Sequence, residues 1–202
     1  MRIESQEGIW DKIAPEWYEL KTNPDKEVLG FLSKQKGNIL DFGSGAGRHF
    51  INLKTKSKMW LVDFSKEMIK LAKRRAKKLK IKPEFFVSDL QKTKFEDNFF
   101  DAAIFIASLH CIPTARGREK TVKELFRILK PKTEVMISVW NKNARRFING
   151  PKEKFIAWRN IGKRYYYLFE PEEVYNLFEK IGFKIKKKFK PDMGILFIAQ
   201  KP

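Results

Sequence analysis

Asp41, Asp63 and Asp89 each stand at the end of a short apolar run, and the first is followed at once by a glycine-rich turn, Gly43-Ser44-Gly45-Ala46-Gly47. Glycine takes positive φ readily and lets the backbone come close to a ligand. The start of a helix behind such a turn adds free N–H groups. The spacing is G-x-G-x-G; a dinucleotide loop requires a third glycine at position 48, which is Arg48 here. Asp63, about 20 residues further on, suits hydrogen bonds from both hydroxyls of a ribose. Ser88, Asp89 and Leu90 follow a third apolar run, where Asp89 and Leu90 suit an adenine amino group and ring face. Ile106, Ala107 and His110 follow a fourth. Ligands of open α/β sheets lie outside the carboxyl ends of the strands, so four strand ends spaced in this way mark one site.

The elements that must position these residues alternate. Apolar runs predict strands over 38–41, 58–62, 83–87, 101–106 and 133–140. Helices are expected over 9–20, where Pro15 breaks the helix or starts a second turn, and over 25–34, 47–53, 118–129 and 171–181. Another is expected over 65–79, capped by Ser65, with Met68, Ile69, Leu71 and Ala72 at helical spacing and an opposite face almost wholly Lys and Arg. Gly182 is a C-terminal helix stop, and two last strands follow over 183–189 and 194–200. The polar, basic stretch 141–163 carries no clear pattern. Strand–helix alternation implies a mostly parallel sheet, and the closing strand pair implies one antiparallel member.

The chain has 202 residues, which fits one domain with a sizeable core. No apolar run approaches the roughly 20 residues of a membrane span, and the first residues hold no apolar signal core. The single cysteine, Cys111, excludes an internal disulfide framework and a cysteine-based zinc site, and fits a reducing, cytoplasmic setting. Lys and Arg number 43 against 24 Asp and Glu, a net charge of +19. A heat-adapted, ion-paired surface would balance the two signs. The excess instead favours a polyanionic partner, nucleic acid above all.

The segments WDKIAPEWYELKTNP, DFGSGAGRH, DFSKEMIKLAKRR, VSDLQKTKFEDNFFDAAIFIASLHCIPTARGREKTVKELFRILKP and RYYYLFEPEEV run in order along nearly the whole chain. Together they resemble class I S-adenosylmethionine (SAM) methyltransferases, and within them the tRNA wobble-uridine carboxyl methyltransferases, which include the methyltransferase domain of the AlkB-like tRNA enzyme. The glycine loop is common to the whole superfamily; IASLHCIPTARGREKTVKEL and Arg164 to Phe169 are the more discriminating parts. Two positions depart from the family's pattern: Cys111 stands where a second His is usual, and Lys21 is the only base between Tyr18 and Pro24.

The resemblance implies a Rossmann-like α/β fold in one domain: a mostly parallel seven-stranded sheet with an antiparallel last strand, helices on both faces, and an N-terminal helical segment over about 9–34. It implies SAM held by Asp41, Gly43, Ser44, Gly45, Gly47, Asp63, Phe64, Met68, Ser88, Asp89, Leu90, Ile106 and Ala107. It also implies methyl esterification of a 5-carboxymethyl group on wobble uridine. A carboxylate is already ionised at neutral pH, so that reaction needs positioning rather than a general base. Lys21, His110, Trp140, Asn141, Arg164, Tyr165 and Tyr166 are the candidates for orienting the carboxylate and stacking the base. A small zinc-containing activator protein is implied as a partner, adding a strand at Glu84–Val87, with Phe85 and Phe86 either at that edge or turned towards helices. Two other readings stay open: a SAM enzyme for a small molecule, and a SAM-binding, RNA-associated protein without turnover.

Overall fold

A computed structural model describes residues 5–51 and 57–202. The chain opens with helices α1 (Gln6–Leu20) and α2 (Lys26–Leu32), then strands β1 (Asn38–Phe42) and β2 (Lys58–Asp63). Helix α3 (Lys66–Lys78), β3 (Glu84–Val87), β4 (Ala102–Ile106), a 3-10 turn at Leu109–Cys111, α4 (Ala115–Ile128) and β5 (Glu134–Trp140) follow. The chain ends with β6 (Glu153–Trp158), β7 (Gly162–Tyr167), α5 (Pro171–Ile181), β8 (Lys184–Lys188) and β9 (Gly194–Gln200).

Seven strands form one sheet in the order β3-β2-β1-β4-β5-β9-β8. β1 pairs in parallel with β2 and β4, β2 with β3, and β4 with β5. β9 runs antiparallel to both β5 and β8. The expected sheet, with its antiparallel last strand, is the one observed. Central strands here read as continuous apolar runs because both faces are covered. Alternate residues go to opposite faces. Leu40, Phe42, Phe105 and Ile137 join Val122, Leu125 and Ile128 of α4 and Val174 and Phe178 of α5. Ile39, Leu61, Ile104 and Met136 join Val28, Phe31 and Leu32 of α2 and Ala72 and Ala76 of α3.

Helix ends follow their side chains. The Ser65 hydroxyl accepts from Met68 N–H at 3.1 Å and starts α3. Thr114 accepts from Gly117 N–H at 2.9 Å, so α4 starts at Ala115, earlier than the apolar pattern alone predicts. Gly182, at φ 115°, closes α5. Pro15 lies inside α1 without ending it. Tertiary contacts hold that helix through the missing bond: Ser65 Oγ donates to Asp11 at 2.5 Å, and Ile13, Ala14 and Tyr18 are buried.

Two expectations change. No helix follows the glycine turn through residue 51; Gly45–His49 forms turns, and residues 52–53 of the expected helix lie outside the described part. Gly47 at φ 70° and the buried His49 hydrogen-bonded to Asp25 at 3.2 Å keep this stretch irregular. Within 141–163, and on through Tyr167, β6 and β7 form a two-stranded antiparallel sheet in which Ile156 faces Arg164 and Lys154 faces Tyr166.

Candidate functional site: a two-lobed cleft at the strand ends

The glycine turn is held against the end of β2: the N–H groups of Gly43 and Ser44 both donate to Val62 O, at 2.8 and 3.0 Å. Gly43 sits at φ 77°, and a Cβ there would lie 2.0 Å from Ser108 Oγ, so no other residue fits. Gly45, at φ 51°, presents open space: an added Cβ would meet nothing nearer than Met68 Sδ and Trp17 Nε1 at 4.0 Å. Gly47 has a packing role instead, because a Cβ there would strike the Phe50 ring at 2.4 Å.

Asp41 and Asp63 are both buried beneath this turn. Asp63 accepts from Gly45 N–H at 2.8 Å and from Ser65 N–H at 3.0 Å, which fixes the turn to the end of β2. Asp41 Oδ2 is buried and has no hydrogen-bond partner. Burial first, and then the charge of Asp63, push Asp41 up to about 7. Burial pushes Asp63 up to about 6 against the opposing N–H groups of Ser65 and Gly45. Two costly carboxylates held together call for a cationic or multiply donating ligand.

A cleft opens over them. One lobe is lined by Asp41, Gly43, Ser44, Gly45, Asp63, Phe64, Met68, Ile106 and Ala107, with Lys21 at its wall. The second lobe, about 430 Å³, is lined by Phe64, Ser88, Asp89 and Leu90 together with Gln6, Ile112 and Pro113. Phe64, Ser108 and Cys111 belong to both lobes, so the two adjoin across these residues. The two carboxylates at the base of one lobe, and Leu90, Ile112 and Pro113 on the walls of the other, fit SAM, with its ammonium and sulfonium at one end and its adenine at the other. Of the residues predicted to hold SAM, Gly47 alone is absent from both lobes. Trp10, Trp17, Ser108 and Cys111 are walls that the motif reading missed. The two tryptophans lie seven apart on α1, a face that reads equally well as plain core.

Behind Trp10, Trp17 and Cys111 lies a layer of aromatic rings around one cation. Arg164 is 5% exposed. Its guanidinium lies over the rings of Trp158 at 4.8 Å, Tyr166 at 5.1 Å, Trp17 at 5.6 Å and Trp10 at 5.7 Å. Nη1 donates to the Tyr166 hydroxyl at 2.6 Å. No carboxylate among the described residues pairs with it, and Nε is buried without a partner. Tyr166 stacks on Trp140 at 4.4 Å and an interplanar angle of 7°. His110 packs on both rings and accepts from Trp140 N–H at 3.3 Å. Burial, with the Arg164 charge beside it, drops His110 to about 3, so it is neutral at physiological pH. Burial likewise pushes the Cys111 thiol up, which leaves it a poor nucleophile.

The predicted substrate residues therefore separate. Lys21 lines the cleft; His110, Trp140, Arg164 and Tyr166 form the layer behind it. Asn141 is spent on structure: Nδ2 donates to Asp192 O at 2.9 Å and Oδ1 accepts from Asn143 N–H at 3.0 Å. Tyr165 points to the opposite face of β7 from Arg164 and Tyr166, where its hydroxyl lies 3.5 Å from Arg118. Strand alternation separates it from its neighbours.

The sheet order, the glycine turn and the cleft define a SAM-dependent methyltransferase domain. Residues 39–132 match the family model described as a methyltransferase domain. The chain is 33% identical over 134 residues to a tRNA (carboxymethyluridine(34)-5-O)-methyltransferase of Arabidopsis thaliana, covering 65% of this chain and 31% of that protein. It is 25% identical over 206 residues to a Schizosaccharomyces pombe protein of the same name, covering 86% of each. The chain thus spans about a third of the length of the first of these relatives. In fold it is similar to the methyltransferase solved in complex with the Haloferax volcanii Trm112 methyltransferase activator, at a TM-score of 0.70 and 15% identity over 100% of both chains. No helix among the described residues is long and apolar enough to cross a membrane.

Proposed function

We propose that this protein transfers the methyl group of SAM to the carboxylate of a 5-carboxymethyl group on the wobble uridine of tRNA. The observation that carries the reading is Arg164: a buried guanidinium with an unpartnered Nε, no acidic partner among the described residues, and a position directly behind the cleft wall. Burial of an unpaired cation is costly, and an anionic ligand would offset it. Arg also suits carboxylates better than any other side chain, through its planar fork of donors. The names of the relatives and the excess of basic residues support tRNA as the carrier of that anion.

SAM supplies a methyl group made electrophilic by its cationic sulfur. The Asp41 carboxylate would hold the ammonium, Asp63 the ribose hydroxyls, and Leu90 and Ile112 the adenine faces. Arg164 and Lys21 would draw the substrate carboxylate towards the sulfur and align one oxygen with the methyl carbon. The methyl group would pass to that oxygen as its bond to sulfur breaks, leaving a neutral thioether. No proton moves, so the neutral His110 serves as a packing and orienting group. Trp140 and Tyr166, already stacked on each other, would bound the pocket for the extruded base.

A small zinc-containing activator would add to the free edge of β3. β3 pairs only with β2 among the described residues, and Val87 is 47% exposed. Phe86 stacks on Trp60 at 5.6 Å and Phe85 packs against Phe50 at 6.4 Å, so both rings serve the layers and leave the backbone as the recognition element.

The test is transfer of labelled methyl from SAM to tRNA bearing carboxymethyluridine, with and without the activator, read by nucleoside mass spectrometry. A methyl ester on the wobble base is expected. No incorporation in either condition, with SAM binding intact, would leave the small-molecule enzyme or the binder without turnover.

A further inference from the structure

The basic face of α3 is more than a solvated helix surface. Lys66, Lys70, Lys73, Arg74, Lys77 and Lys78 are all exposed along it. At 1.5 Å per residue they extend over about 18 Å. The only acid on the helix is Glu67, which pairs with Lys70 at 3.0 Å. None of the other five has a carboxylate within ion-pair distance among the described residues. Lys80 and Lys82 are exposed just beyond the helix.

This ridge leads to the cleft. Arg75, on the buried side of α3, donates to Tyr18 O at 2.8 Å and to Lys21 O at 3.2 Å, tying the end of α3 to the end of α1. Lys21 is itself a cleft wall. Arg74 and Lys78 lie over the Tyr18 ring at 5.7 and 5.8 Å, so cations follow one another from the cleft wall onto the ridge. The other concentration of lysine, on β8, is at the opposite edge of the sheet from β3, and there Lys187 lies over Phe189 and Lys188 pairs with Glu172.

We infer that the α3 ridge is the docking track for the phosphate backbone of the tRNA whose wobble base enters the cleft. The inference rests on the proposed substrate class and goes beyond it by assigning the surface. A row of exposed cations, five of the six without a carboxylate partner among the described residues, matches a chain of phosphates, each contact releasing counterions. A membrane surface is the poorer match, because Leu79 is the one large exposed apolar residue along the ridge.

The experiment compares two variants that each lose four charges. One carries Lys70→Gln, Lys73→Gln, Lys77→Gln and Lys78→Gln; the other carries Lys184→Gln, Lys186→Gln, Lys187→Gln and Lys190→Gln. Binding of tRNA is measured across salt concentrations, together with SAM affinity and binding to anionic phosphatidylserine vesicles. The α3 variant should bind tRNA on the order of tenfold or more weakly, with a log–log salt slope shallower by about 3, from roughly 0.7–0.9 per lost contact. The β8 variant should stay within about twofold, and both should bind SAM as the wild type does. Equal losses in the two variants, or none in the α3 variant, overturn the inference while leaving the methylation reading intact. Ridge-dependent binding to vesicles without a ridge effect on tRNA overturns it in favour of a membrane. Wild-type protein that binds no tRNA overturns both readings.

Discussion

Arg164 donates Nη1–H to the Tyr166 hydroxyl at 2.6 Å, two residues along the same face of β7, and Tyr166 in turn lies flat on Trp140 at 4.4 Å. The pair fixes a guanidinium against aromatic rings rather than against an acid, and its Nε remains unused. If the substrate carboxylate completes this arrangement, Arg164→Ala should lower methyl transfer by about 10- to 100-fold or more, since hydrogen bonds to charged groups contribute about 1.5–3 kcal/mol. Arg164→Lys should recover only part, because the fork of donors is lost. SAM affinity, measured by calorimetry, should stay within about twofold in both. Full activity in the alanine variant would remove Arg164 from the substrate site.

Asp63 accepts N–H donors from Gly45 and Ser65 and borders the same lobe as Asp41. Asp63→Ala should weaken SAM binding by about 10- to 100-fold by removing the ribose acceptor and releasing the glycine turn. Asp63→Asn should sit between the two, since it retains one acceptor oxygen. Calorimetric titration with S-adenosylhomocysteine separates this from any effect on the sulfonium.

Asp41 carries a pH signature. Its folded value of about 7 lies above the usual 3.8, so the folded protein holds a proton that the unfolded chain gives up between these values. Its contribution to stability is present below about pH 4 and is lost as pH rises through about 7. At about 1.4 kcal/mol per unit the loss is on the order of 4 kcal/mol. Asp41→Asn should therefore raise the melting temperature of the SAM-free protein at pH 8 and change it little at pH 4. The same substitution should weaken SAM binding, the usual exchange of stability for function at a strained site. Thermal melts at the two pH values check the sign.

Arg118, 5% exposed, latches the wall of the second lobe. It donates to Ile112 O at 2.9 Å and Pro113 O at 3.3 Å, and stacks 3.7 Å over the Tyr167 ring. Arg118→Ala would remove that donor from two carbonyls that water can partly reach, at a cost of about 1–2 kcal/mol. A lower melting temperature should be accompanied by weaker SAM binding, because Ile112 and Pro113 line the cleft. SAM affinity unchanged at a temperature where the variant is folded would limit Arg118 to stability.

Much of this protein is written locally. The apolar runs of β1, β2, β4 and β5 are buried on both faces, so their composition alone marks them as central parallel strands. The glycine turn is legible because φ at Gly43 and Gly45 and the contact with Ser108 exclude side chains, and Asp63 follows at the spacing of the next strand end. The β6–β7 hairpin is not legible, because its exposed face carries Phe155 and Ala157 beside Glu153, which erases the apolar–polar alternation, and its other face is stabilised by docking, with Gln6 of α1 accepting from Tyr165 N–H at 2.7 Å. The setting of Arg164 is the clearest case. Its residue type suggests an anion, but its burial depends on Trp10 and Trp17 from the first helix and Trp158 from the neighbouring strand. A cation's desolvation is set by whatever packs around it, and those rings come from opposite ends of the chain. The ligand chemistry was therefore readable from residue types and spacing, whereas which charges stand buried and unpaired was decided only by the fold.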